Sequence, residues 1–183
     1  GRGSFVAEPQ SHRRADRLMS FSSEMARRGR RPSSLIVERE IRPAWRSAAD
    51  ELQLHQGEPV VYLRRVRCAD GEPIALETAV LIGETSPAVM AADLCADSLH
   101  AVLAAAGWRL RRGTALVTAS SATREDAALL GIAPADPLLV ERRIILDGPG
   151  RPVEATESRY PGSRYAIDVR FDVEAPAMGG PDG

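Results

Sequence analysis

The chain has 183 residues, enough for one domain with its own core plus tails, and 44% hydrophobic against 27% charged residues is the balance of an ordinary globular protein. Its 24 basic and 25 acidic residues leave a net charge of −1, so bulk charge makes no case for nucleic acid; no apolar run suits a membrane span or an opening signal peptide. Every basic residue is arginine, which excludes a Schiff-base lysine and P-loop chemistry; Cys68 and Cys95 lack CxxC spacing and read as buried reduced thiols, and His12, His55 and His100 show no metal-ligand spacing.

Residues 1–10 read as a strand end followed by a linker, without an initiator Met, as in a fragment. Residues 11–17 are polar and basic and read as flexible. Leu18, Phe21 and Met25 recur at helical spacing, which predicts an amphipathic helix over 16–28, ended by Gly29 with Pro32 beyond. A strand over 35–41 and a helix over 43–54 follow. Gly57 and Pro59 lead into a hairpin of 60–68 with 74–82. Short helices are expected over 87–94 and over 98–106, the second capped by Asp97 or Ser98 and stopped by Gly107. A strand over 109–120 precedes a helix opened by Thr123, with Asp126 three residues on, and closed by Gly131. A second hairpin joins 138–146 to 152–158. Residues 165–173 alternate as a last strand, and the Pro/Gly-rich end reads as a disordered tail.

The two hairpins are versions of one pattern. Each runs from a proline (Pro59, Pro137) through an apolar run to an Arg-Arg pair, an Asp-Gly turn, a second proline and a glutamate (Glu77, Glu154). Strand alternation puts Arg65 and Arg67 on the face of Val61 and Leu63, which should be the buried one, and Arg64 on the other. Guanidinium groups rarely go inside without a partner, so two on one strand point to a pocket for an anion. The competing reading is a surface ladder with Glu72, Glu77 or Glu84. Strands arriving as hairpins separated by helices predict an α+β fold: a mostly antiparallel sheet with helices packed on one face. The repeated hairpin implies an internal pseudo-two-fold, with pockets where the halves meet.

Several segments together carry a family resemblance: the helix Ser20-Phe-Ser-Ser-Glu-Met-Ala-Arg-Arg-Gly29, the strands Leu63-Arg-Arg-Val-Arg67 and Pro73-Ile-Ala-Leu-Glu77, the helix starting Asp97-Ser-Leu, the end Ala128-Leu-Leu-Gly131, and the run from Pro152 to Tyr165. In this order they resemble the UTRA effector-binding domain of the GntR superfamily of bacterial transcription regulators, HutC/FarR branch. Gly1-Arg-Gly-Ser-Phe-Val-Ala7 resembles the end of a winged helix-turn-helix wing. The resemblance implies three regions: 1–14, wing remnant and linker from an upstream winged helix-turn-helix; 15–174, the effector-binding domain; 175–183, the tail. It also implies a chorismate-lyase-like sheet, a cytoplasmic homodimer, a small-molecule effector, and DNA contact only through the missing N-terminal domain.

In relatives that bind phosphorylated amino sugars, two arginines two apart hold the phosphate; they match Arg65 and Arg67, and the guanidinium fork suits phosphate or carboxylate. Ser22 matches a hydroxyl near the phosphate, one turn into a helix whose backbone N–H groups favour an anion. Phe21 is expected to be core and pocket wall. Glu77 and Glu154 match ligand-facing acids, with Glu157 the competitor for the second. Ser98 and His100 fall where such relatives have a serine and a tyrosine, so His100 is a departure. Tyr160 matches an aromatic that closes the pocket, but the family run near Tyr-Arg-Gly-Asp-Arg-Tyr here reads Tyr160-Pro-Gly-Ser-Arg-Tyr165.

The reading is a ligand-sensing, dimerising domain for a small anionic metabolite, either a phosphosugar or an organic acid, controlling DNA binding in a repressor-type regulator. No catalytic residue, metal site, cofactor or membrane partner is called for. The alternatives are a chorismate-lyase-like enzyme acting on a carboxylated small molecule, against which stands the lack of any nucleophile–base arrangement or cofactor loop, and a dimerisation module with a vestigial pocket.

Overall fold

The computed structural model describes residues 11–14 and 20–168. Its centre is a six-stranded antiparallel sheet built from β2 (Pro32–Pro43), β3 (Pro59–Ala69), β4 (Glu72–Ile82), β5 (Arg112–Ser121), β6 (Pro137–Leu146) and β7 (Pro152–Pro161), in the order β2-β3-β4-β7-β6-β5. The helices are α1 (Phe21–Arg27), α2 (Arg46–Leu52), α3 (Ser86–Ala91), α4 (Leu99–Ala105) and α5 (Arg124–Leu130). Two units repeat: β2-α2-β3-β4 and β5-α5-β6-β7. They meet at β4 and β7, where Ala79 stands opposite Thr156. The expected antiparallel α+β sheet with a hairpin repeat is present.

Helices cover both faces of the sheet, not one. On one face α2 packs Ala48, Ala49 and Leu52 against Val60, Val80 and Ile82, and α5 packs Leu130 against Val66, Leu76 and Val140. On the other, α3 and α4 bring Val89, Leu99 and Leu103 onto Val61, Leu63, Ala79 and Leu81, and α1 brings Phe21 and Met25 onto Ala75 and Tyr160. The central strands are apolar on alternate and intervening positions alike, so one covered face would leave the other wet.

The two turns differ. Asp70 and Gly71 both take positive φ, 53° and 84°, as a two-residue hairpin of right-handed twist requires. Pro149 cannot take positive φ, and the second turn widens instead: Asp147 Oδ1 accepts from the backbone N–H of Gly150 (3.0 Å) and Arg151 (2.8 Å).

Within the predicted 16–28 helix, α1 starts after Ser20, whose Oγ accepts from the Ser23 N–H at 3.2 Å. Thr123 and Asp126 form the expected capping box. Residues 11–14, read from sequence as flexible, form β1 (Ser11–Arg14), which pairs in parallel with β8 (Tyr165–Asp168). A polar tetrapeptide has no periodicity that announces such a partner. The expected wing end in 1–7 and the tail 175–183 lie outside the described residues. Cys68 is buried, but Cys95 is exposed rather than buried. No described helix is long and apolar enough to cross a membrane.

Candidate functional site

Between α1 and α4 the sheet is left uncovered, and its face there is polar. Cross-strand register sets the rows: Arg65 stands opposite Glu77, and Glu77 opposite Ser158; Ala79 stands opposite Thr156, and Thr156 opposite Arg143; Leu81 stands opposite Glu154. A small cleft opens over these rows, about 270 Å³ counting the part open to solvent. Phe21 of α1 and its cap Ser20 wall one side, and Leu99 and His100 of α4 with their cap Ser98 the other; Arg65, Arg67, Glu77, Arg143 and Glu154 form the floor.

Arg65 and Arg67 are 2% and 4% exposed, so the inward face deduced from alternation is the observed one. Arg65 Nη2 donates to Glu77 Oε1, and Arg67 Nη1 lies 3.8 Å from the same oxygen. Arg67 Nη2 donates to Ser22 Oγ at 3.2 Å, and its guanidinium stacks 4.7 Å over the Phe21 ring. At the other end His100 Nε2 meets Glu154 Oε2 at 2.9 Å, and the Thr156 hydroxyl donates to Glu154 Oε1 at 2.6 Å. Several buried N–H groups lack a hydrogen-bond partner among the described residues: Nε and Nη1 of Arg65, Nε of Arg67 and Nε of Arg143. Buried donors of this kind cost about 1–3 kcal/mol each while unmet.

Charge follows the same geometry. Burial pushes the Glu77 carboxyl up, but Arg65, Arg67 and Arg143 outweigh it and hold its pKa at about 2. The Arg67 pKa is also lowered, to about 10, here at the expense of the charged form: burial dominates, Arg65 adds repulsion, and Glu77 only partly offsets them. Burial lowers and Glu154 raises the His100 pKa, and the net direction is up. Glu154 is pushed up by burial but ends below the usual range through His100, Thr156 and Arg143. Three arginines against two carboxylates leave the lining one positive charge in excess, and two when His100 is protonated.

The predicted residues mostly converge. Phe21, Arg65, Arg67, Glu77, Ser98, His100 and Glu154 line the cleft, and Ser22 stands behind Arg67. Tyr160 does not line it; it stacks on Tyr165 with ring centroids 4.0 Å apart. Glu157 faces the opposite side, bonded to Arg142 and Arg159, and Arg64 pairs there with Glu125. Glu72 and Glu84 bind Arg30 and Arg151, so of the three ladder acids only Glu77 pairs with Arg65 or Arg67. In the altered Tyr160–Tyr165 segment, Arg164 donates to the carbonyls of Pro73 (2.9 Å), Leu130 (2.6 Å) and Gly131 (3.1 Å). Sequence reasoning missed Arg143, 7% exposed, although the repeated Arg-Arg pair held the signal: the second arginine of each pair faces in. It also missed Ser20. Among the described residues no group of His, Cys, Asp and Glu suits a metal ion.

Comparison with known proteins places this geometry. The UTRA domain model matches residues 27–166. The histidine utilization repressor of Pseudomonas putida is 28% identical over 171 residues, 93% of this chain and 68% of that protein. The HTH-type transcriptional repressor NagR of Bacillus subtilis is 26% identical over 167 residues, 91% of this chain and 69% of that one. The crystal structure of PhnF from Mycobacterium smegmatis superposes with a TM-score of 0.84 at 24% identity, over 95% of this chain and 77% of that one, which shows a shared fold. The chain therefore belongs to the UTRA domain family, the effector-domain type of GntR-family transcription regulators.

Proposed function

We propose that this chain is the ligand-sensing and dimerisation domain of a GntR/HutC-type regulator, and that a small anionic metabolite in the cleft controls DNA binding by a winged helix-turn-helix upstream. The observation that carries this reading is the set of buried, partnerless N–H groups on Arg65, Arg67 and Arg143 around a lining with excess positive charge. A phosphate or carboxylate would satisfy them with charge-assisted bonds. Ser22 braces Arg67, Phe21 and Ser98 shape the walls, and Glu77, Glu154 and His100 orient the polar remainder of the guest. Tyr160 acts from behind, through its stack with Tyr165.

A route from cleft to upstream domain supports the reading. Phe21 and Ser22 sit on α1; Glu24 of α1 accepts from the Tyr165 hydroxyl at 3.0 Å; Tyr165 opens β8, and β8 pairs with β1. Such a route shifts DNA affinity only if the effector binds two arrangements unequally.

Thermal unfolding with inorganic phosphate, hexose phosphates and short organic acids tests this. A guest at a hundred times its Kd adds about 2.7 kcal/mol of stability. Arg65→Ala and Arg143→Ala are expected to abolish that gain, and retained gain in both would remove the anion role. The pairing of Arg65 with Glu77 favours a second reading, a dimerisation module whose vestigial cleft satisfies itself; no stabilisation across the panel would select it.

A further inference from the structure

Among the described residues that line the cleft, His100 is the one that changes charge near neutral pH. Glu77 is held at about 2 and Glu154 below the usual carboxylate range, so both stay ionised there. The guanidinium groups beside them keep their protons.

The hydrogen bond of the ring fixes where its proton comes and goes. His100 Nε2 lies 2.9 Å from Glu154 Oε2. An ionised carboxylate can only accept, so Nε2 keeps its hydrogen in the neutral and the charged ring alike. The proton that titrates therefore sits on Nδ1, to which the described residues make no hydrogen bond. Neutral His100 presents a lone pair there, and charged His100 an N–H donor. One wall of the cleft thus turns from acceptor to donor as the lining gains a positive charge. The side chain is 20% exposed, so solvent can supply that proton without unfolding.

The surroundings set the sign. Glu154 of β7, itself held by Thr156, attracts the imidazolium, as does Glu77 of β4, while Arg143 of β6 repels it. Arg65 and Arg67 of β3 complete the cationic floor. From α1 and its cap come Phe21 and Ser20, and α3 carries no charged residue. Asp97 and Arg109 flank α4 and are exposed. An anion entering this lining adds negative charge beside the ring and favours its protonated form. By reciprocity, the protonated ring favours the anion to the same extent.

We propose that effector sensing is coupled to protons through His100: an anionic guest binds with uptake of a proton on Nδ1, and the domain holds that guest more tightly as its surroundings turn acid. The proposal rests on the anionic-effector reading above and adds how that site is regulated.

Sulfate is the probe, because it stays doubly charged throughout the range in which histidine titrates. Imidazole nuclear magnetic resonance of the 183-residue chain, which has three histidines, follows His100 with and without sulfate, chloride keeping the ionic strength constant. The His100 titration is expected to move to higher pH in sulfate, with exposed His55 unmoved as the internal reference. Sulfate affinity is expected to fall roughly tenfold from mildly acid to mildly alkaline pH. His100→Gln should remove that pH dependence, and Glu154→Gln, which takes away the attracting partner, should shift its midpoint toward acid. Circular dichroism checks that each variant is folded; the titration of the unsubstituted chain decides the matter if one is not. Saturating sulfate that leaves the His100 titration unmoved overturns the proposal and spares the anion reading. Unchanged pH dependence in folded His100→Gln, or an unmoved midpoint in folded Glu154→Gln, overturns it too. Sulfate that neither binds nor stabilises the chain at any pH overturns both.

Discussion

The two hairpins start from one sequence pattern and end with opposite electrostatics. In β3–β4 the inward arginine meets an acid directly across the ladder, Arg65 on Glu77. In β6–β7 the inward arginine meets a hydroxyl residue, Arg143 on Thr156, and its nearest acid is Glu141 on its own strand at 3.8 Å. Glu141, Glu154, Glu77 and Tyr160 surround Arg143 and raise its pKa against a large opposing effect of burial. One hairpin is cross-linked; the other holds its charge through neighbours two residues away or on other strands. A repeat can thus keep its backbone and divide labour between its copies, one arginine stapled across the ladder and the other not, with both in the cleft floor.

The largest test of that contrast removes the staple. Glu77→Ala strands Arg65 and Arg67 in the interior and should cost about 3–5 kcal/mol in urea unfolding. Thr156→Ala, at the matching place in the second hairpin, should cost about 1 kcal/mol. Equal losses would break the comparison.

Acid titration comes next. With Glu77 held at about 2 against an ordinary 4.5, its contribution is complete above pH 4.5 and disappears as pH falls toward 2. That shift is worth on the order of 3 kcal/mol. Glu77→Gln should flatten the acid limb of stability measured by denaturant melts.

His100 behaves with the opposite sign. Its pKa is raised, so the pair with Glu154 stabilises fully below the ordinary imidazole value and fades as pH climbs through the folded one. His100→Asn should cost about 1–3 kcal/mol at mildly acid pH and less at alkaline pH, sharpening which half of the cleft responds to protons.

The smallest effect lies in the turns. Gly71→Ala forces a side chain onto φ +84° and should cost about 1 kcal/mol. Gly148 has no such φ and open space around it, so Gly148→Ala should be nearly silent in the same melts.

Particular residues show what was legible beforehand. Alternation alone turned Arg65 and Arg67 inward, and the Asp70-Gly71 turn announced its hairpin. The partner of Arg65 was not legible. A regular ladder continued from Cys68↔Pro73 sets Arg65 on Leu76; the irregularity between Arg67 and Cys68 shifts the register by one and brings Glu77 across. A one-residue slip of this kind exchanges faces, and nothing short of coordinates fixes it. Helices were expected on one face only, although the adjacent apolar pairs Val60-Val61 and Leu81-Ile82, whose members need cover on opposite sides, held the signal for the second. Tyr160 was placed by likeness to relatives, while its packing depends on a stack with Tyr165 across the turn that follows β7, which strand alternation does not announce.

The cleft takes one wall from α1, whose Ser22 meets Arg67 of the first hairpin, and the other from α4, whose His100 meets Glu154 of the second. A guest held by both therefore works as a gauge block between two jaws: its width sets their spacing. Discrimination among effectors then becomes a matter of length as much as of charge. A guest one bond too short would grip the arginines and never reach His100.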